Sequence, residues 1–230
     1  SPSLANNPAA PYRFTLTRST GSTFSQILDD TLSGFVVNAE AVKLKTNAAN
    51  PILVGIINEE GGARTFVAQA LASGSPANVA AINNLPPADA LLFANFNGTA
   101  LNQFLFYRGG DSNLLLYPVQ EPVTGTFTFA PGTSFTFHAA LRQVIAVPGP
   151  NDIRLLIIFG TGETAGIYSF DGLNEPHLLE SFIAEPGQKF TGAVATGSGH
   201  FTLLNGTEGR SSKFQDWKRA GNGYTKGACG

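Results

Sequence analysis

The chain has 230 residues, 43% hydrophobic and only 13% charged, with a formal charge of -2. That balance excludes a disordered chain or a coiled coil, and it leaves no net field to attract nucleic acid or an anionic membrane surface. No apolar run approaches the roughly 18 residues of a membrane-spanning helix, whereas 18 Phe, 26 Gly and 14 Pro point to strands separated by turns.

The chain opens Ser-Pro-Ser and contains no Met. This predicts a mature chain cut from a precursor after a secretion signal. A short phrase then recurs: an apolar strand, a glycine-bearing turn that is usually acidic, and a second strand carrying an aromatic. A degenerate copy covers 13–18, Ser19-Thr20-Gly21 and 23–29. The next covers 52–58, Glu59-Glu60-Gly61-Gly62 and 64–71. Between it and the third copy lie the only helix candidates, 79–82 and 88–94, kept short and apart by Pro86-Pro87. The second of these reads equally as a strand over 91–96.

The third copy covers 104–107, Gly109-Gly110-Asp111 and 113–120, and strand candidates follow at 126–130, 134–138 and 143–147. The fourth covers 155–159, Gly160-Thr161-Gly162-Glu163 and 166–171, followed by strand candidates at 178–183 and 189–194. The last covers 201–204, Asn205-Gly206-Thr207-Glu208-Gly209 and 212–219. Successive copies start roughly 40 to 50 residues apart, and each period has room for about four strands. Leu155-Leu156-Ile157-Ile158-Phe159 is apolar throughout, as expected of a strand buried on both faces.

On this period and strand count the chain resembles the β-propeller repeat proteins, whose blades are four-stranded sheets. The resemblance implies an all-β fold with one domain over residues 1–230 and about five blades of roughly 50 residues. The repeats would fall near 13–48, 49–100, 101–150, 151–199 and 200–230. Gly61-Gly62 and Gly109-Gly110 echo part of the kelch pattern, Asp216-Trp217 reverses the WD dipeptide, and Trp217 is the only Trp. The architecture is therefore matched without a family inside it. A β-sandwich is the alternative, but it calls for a clean alternation of apolar and polar positions that the inner runs lack. Few residues follow Arg219, so the last blade calls either for residues 1–12 as an added strand or for a partial blade.

The acidic turns place Glu59/Glu60, Asp111, Glu163 and Glu208 at matching positions, where a ring of carboxylates offers sites to polyhydroxylated ligands or cations. Gly, Asn and acidic residues also suit hairpin tips for turn geometry alone. Catalysis by paired carboxylates would draw on Asp29, Asp30, Asp152, Asp171 and Asp216, with Asp171, Asp216, Arg154 and His200 as the set for a central site. The histidines His138, His177 and His200 have no metal-ligand spacing, so neither a metal nor a cofactor is expected. Trp217 and Tyr224 lie among C-terminal cations and are candidates for stacking on a sugar, against the plainer reading of an outer strand with a solvated edge.

Cys229 has no second Cys in the chain to pair with. Asn97-Gly98-Thr99 and Asn205-Gly206-Thr207 are glycosylation sequons, and Asn-Gly is also a common turn pair. Together these features lead to the expectation of a secreted binding protein for a glycan or other small ligand, lectin-like, with no nucleic-acid partner and no membrane span. A propeller enzyme (hydrolase, lyase or cyclase) with a central site and a protein-interaction scaffold are the alternatives.

Overall fold

A computed structural model describes residues 11–19, 21–33, 35–42, 52–59, 62–69, 77–78, 82, 85–86, 88–96, 103–123, 126–207 and 213–227. Glu60, Asn97, Glu208 and Cys229 lie outside them. All regular structure among these residues is β, and it divides between two compact units, Ser1–Phe93 with Tyr117–Gly132 and Ala94–Leu116 with Thr133–Gly230.

In the first unit β1 (Pro11–Ser19) and β2 (Phe24–Ser33) form an antiparallel hairpin with a register shift at Leu16/Thr17. This hairpin is the degenerate first copy of the phrase. A four-stranded sheet follows, in the order β3 (Phe35–Val42), β4 (Ile52–Glu59), β5 (Gly62–Gln69) and β6 (Ala77–Asn78). Ile56 of β4 is fully buried.

The stretch 88–94, a helix candidate, is largely strand β7 (Ala90–Ala94). Seven residues behind a Pro-Pro pair are too few to nucleate a stable helix, and Leu91 gains more by burial in a sheet. With β8 (Gln103–Tyr107), β9 (Asn113–Val123), β10 (Thr126–Phe129) and β11 (Thr133–Thr136), it makes up a five-stranded sheet. Residues 113–116 of β9 pair with β11, and the later ones pair with β10.

The second unit carries two full sheets. One runs β12 (Leu141–Pro148), β13 (Ile153–Phe159), β14 (Thr164–Ser169), β15 (His177–Ile183). The other runs β16 (Lys189–Gly197), β17 (His200–Gly206), β18 (Lys213–Ala220), β19 (Gly223–Lys226). The hairpin phrase therefore forms the second and third strands of each sheet, and each sheet begins one strand upstream of it. The hairpin of the final copy is flanked by β16 before it and β19 after it in a four-stranded sheet.

The burial gradient follows position in the sheet. The apolar run of β13 is second in order and buried from Arg154 to Phe159, whereas β15, at the edge, is mostly exposed. The two sheets pack face to face through Val147, Leu156, Ile158, Ile167, Phe190 and Phe201, among others. At one end of this core Phe182, Phe201, Trp217 and Tyr224 form a cluster, with Phe182–Trp217 at 4.7 Å and Phe201–Tyr224 at 5.0 Å between centroids. Burying one such ring stabilises the fold by about 1.5–3 kcal/mol. Polar groups also tie the sheets together. The Gln143 amide on β12 donates to Ala193 O at 3.1 Å and accepts from Ala193 N at 2.8 Å on β16.

Candidate ligand-binding site

The β12–β13 loop (149–152) and the β14–β15 loop (170–176) leave the same end of their sheet, because adjacent strands run antiparallel. Between them lies a cleft of about 460 Å³. Its walls carry Asp152, Asp171, Glu175 and His177, the amides Asn151 and Asn174, and the hydroxyl of Ser169, with Phe96, Phe170 and Ile153 as the apolar part. That volume falls within the range of about 300–1,000 Å³ usual for small-molecule sites.

The loops are held from outside the cleft. Gln103, 1% exposed, accepts from Phe96 N at 3.0 Å and donates to Gly172 O at 2.8 Å. Gly172 has φ +71, and a Cβ there would run into the Gln103 amide, so glycine is required twice over. Phe170 packs edge-on against both Phe96 (5.1 Å) and Phe135 (5.5 Å). Asp171 closes its own loop. Its Oδ1 accepts from Leu173 N at 2.9 Å and Asn174 N at 2.8 Å, and its Oδ2 accepts from Asn174 Nδ2 at 2.7 Å. These bonds, the Asn174 backbone bond foremost, hold the Asp171 carboxyl below its ordinary pKa.

On the opposite wall Asp152 sits between two guanidinium groups. Arg154 Nε donates to its Oδ2 at 3.2 Å, and Arg219 Nη1 donates to its Oδ1. Partial burial pushes the Asp152 carboxyl up, but the hydrogen bonds and charges of Arg219 and Arg154 outweigh it and the net shift is downward. Arg154 is 3% exposed, donates to Asn222 O at 3.2 Å, and lies over the Tyr224 ring at 5.4 Å. Burial pushes the Tyr224 hydroxyl pKa up.

The residues singled out from sequence fall in different places. Asp152 and Asp171 line the cleft, and Arg154 stands behind Asp152. Asp216 does not line it: its carboxylate accepts from Thr202 Oγ1 across β17–β18. His200 opens β17 opposite Lys218 and is likewise absent from the cleft walls. Trp217 packs on Phe182 and Phe201, and Tyr224 is 7% exposed, so both rings belong to the core of the second unit. Asp111 and Glu163 are exposed on the β8–β9 and β13–β14 turns, and the latter turn lies at the end of its sheet opposite the cleft.

Glu59 closes the β4–β5 pairing opposite Gly62, and Asp29 and Asp30 pair with Thr15 and Phe14 in the first unit. Glu208 and Cys229 lie outside the described residues. Asn205 has no exposed surface, so a glycan has no room on it in this fold. Among the described residues no cluster of His, Cys, Asp and Glu is arranged to hold a metal, and no helix is long and apolar enough to cross a membrane.

Sequence reasoning passed over Asn151, Asn174 and Glu175 and gave His177 no role. One signal was present: 172–177, Gly-Leu-Asn-Glu-Pro-His, is a polar interruption between two strand candidates that belongs to no copy of the repeated phrase.

No protein-family model matches the chain, and no curated protein matches it. Among solved structures, a protein from Lactobacillus plantarum aligns at TM-score 0.63 and 9% identity, over 95% of this chain and 64% of that one. A candidate 6-phosphogluconolactonase from Bacteroides uniformis aligns at 0.59 and 10%, over 99% and 65%. An exo-β-1,3-galactanase from Phanerochaete chrysosporium, solved with galactose, aligns at 0.50 and 11%, over 84% and 49%. The chain thus spans less than two thirds of the length of each. At such identities the likeness concerns the fold alone, and with the four-stranded antiparallel sheets it establishes an all-β propeller fold of about five blades.

Proposed function

We propose that the protein is an extracellular, lectin-like binding protein that takes a carbohydrate in the cleft between the 149–152 and 170–176 loops. The observation that carries this reading is the lining: carboxylates, two side-chain amides, a hydroxyl and an imidazole converge above an apolar part made by Phe96 and Phe170. Alternating hydroxyls and C–H faces are what a sugar offers to such a surface, and a few placed polar groups fix its orientation. Two solved proteins that share the fold carry carbohydrate-related names, a galactanase with galactose and a candidate 6-phosphogluconolactonase.

Two of the cleft's three carboxylates, Asp152 and Asp171, are unsuited to acid catalysis. A glycosidase needs one carboxyl kept protonated by a raised pKa. Asp152 and Asp171 are both shifted the other way, and both already have their oxygens engaged by the protein. Held as carboxylates, they serve as fixed acceptors or as structural ties.

A glycan-array screen of the full chain, with and without calcium, tests the reading. The expected result is selective binding that weakens in Asn151→Ala and His177→Ala and survives Asp111→Ala. Silence across the array, or binding indifferent to the cleft variants, overturns it. Conversion of a bound glycan to shorter products would instead make the protein an enzyme.

A further inference from the structure

A second, smaller cleft of about 240 Å³ adjoins the first. It is lined by Phe135 and Thr136 of β11, Phe137 and His138 just after it, Tyr168 of β14, and Glu175, Pro176 and Leu178 around the start of β15. Glu175 is the residue that lines both clefts. Taken alone the smaller cleft falls below the usual size for a small-molecule site, and the larger falls within it. Glu175 is thus a common wall, and the two clefts lie side by side at it.

We propose that the two clefts act as one furrow with two subsites and that the ligand is a linear oligosaccharide whose neighbouring units occupy them, with Glu175 at the junction. The proposal rests on the carbohydrate reading of the larger cleft and specifies the class of its ligand.

Three observations support it. First, the ridge between the clefts is fixed before any ligand arrives. Asp171 closes the loop that carries Glu175, and Gln103 pins the same loop through Gly172 O. A carboxylate on a braced loop binds without an ordering cost. Second, the two clefts present different residue types: carboxylates and amides line the larger, and Phe135, Phe137 and Tyr168 line the smaller beside the polar Thr136, His138 and Glu175. Rings next to polar groups suit the mixed C–H and hydroxyl surface of a sugar.

Third, the smaller cleft is built on rings that brace one another. Phe137 stands edge-on to Tyr168 at 5.4 Å, and His138 lies 4.8 Å from Phe159. Leu178 remains 43% exposed at the rim, and His138 is exposed too. Both side chains therefore face solvent where a second sugar unit would cover them.

The test is isothermal titration of the full chain with β-1,3-linked galactose and glucose oligomers of one to four units. Affinity is expected to rise at least tenfold between one unit and three. His138→Ala and Leu178→Ser, two exposed positions on the smaller cleft alone, are expected to bring trisaccharide affinity down toward that of the monosaccharide. His177→Ala, on the larger cleft alone, is expected to weaken every length. Equal affinity for one to four units, or a length increment untouched by both smaller-cleft variants, overturns the two-subsite inference and leaves the larger cleft's reading standing. Absence of binding at every length defeats both.

Discussion

The two ends of the β12–β15 sheet are fastened by different means. At the end away from the cleft the fastening is backbone to backbone. Gly110 N donates to Leu141 O at 2.8 Å, Gly160 N to Ala140 O at 2.7 Å, and Phe190 N to Gly162 O at 2.6 Å. The acidic side chains of that end, Asp111 and Glu163, stand in solvent. At the cleft end one backbone tie of this kind, Gly199 N to Pro148 O at 2.6 Å, is joined by a set of side-chain ties: Gln103 to Gly172 O, Arg219 and Arg154 to Asp152, Arg154 to Asn222 O. Backbone ties accept almost any side chain, and side-chain ties need particular ones. The difference teaches that the repeated acidic turns, the loudest feature of the sequence, record how a hairpin turns, while the specific chemistry gathers at the other end.

This contrast is best challenged first at Arg154. Arg154→Met keeps the volume but leaves Asp152 and Asn222 O without that partner. The expected loss is about 2 kcal/mol, less than for a fully enclosed pair because Asp152 reaches solvent, and urea unfolding would register it. A change within about 0.5 kcal/mol would mean the buried guanidinium contributes packing only.

Next comes Gln103→Leu, which orphans Phe96 N and Gly172 O together. A loss of about 1–2 kcal/mol is expected from the unpaired amide groups, with a parallel loss of glycan affinity as the 170–176 loop loosens. Full stability together with weakened binding would show that the glutamine serves the loop and not the fold.

A smaller, conditional effect follows from acid. Asp152 and Asp171 have carboxyls lowered in the folded chain. Their contribution is present above the unfolded value of about 4 and is lost as pH falls through the still lower folded values. Tm measured from pH 6 to 2 should therefore begin to fall near pH 4, and Arg219→Gln should flatten that fall. A slope unchanged in the variant would assign the acid sensitivity to other carboxylates.

The smallest effect is expected from Asp111→Ala and Glu163→Ala, each within about 0.5 kcal/mol in stability and neutral in glycan binding. A loss of binding in either would return the site to the acidic turns and undo the comparison of the two ends.

Much of the architecture was legible because its determinants are periodic. The continuous run from Leu155 to Phe159 reads as a strand covered on both faces, and all five residues are buried. The phase of the sheets was less legible. The first strand of each, such as β12 with Leu141, Val144 and Val147 buried at every third position, carries a weaker pattern than the hairpin that follows it. The site was the hardest part to read. Asp152 is adjacent to Arg219 only in the folded chain, and Gln103 meets Gly172 from a different sheet. No spacing announces such pairs, since the distance in sequence that joins them is set by topology. Trp217 and Tyr224 illustrate the reverse error. Aromatics among cations suggested a sugar platform, yet packing within the sheet pair takes both rings inward.

The Gln143–Ala193 clamp bears on how a chain of look-alike sheets assembles without mistakes. Each blade can offer an apolar face to any other, and burial alone discriminates poorly between the right neighbour and a wrong one. A side-chain amide that presents a donor and an acceptor together behaves like a borrowed peptide group, and it is satisfied only when one residue of the neighbouring strand stands opposite it. A slip of β16 by one position, or a swap with another sheet, leaves that amide and a backbone pair unpaired at once. The glutamine thus favours the correct neighbour over its near copies.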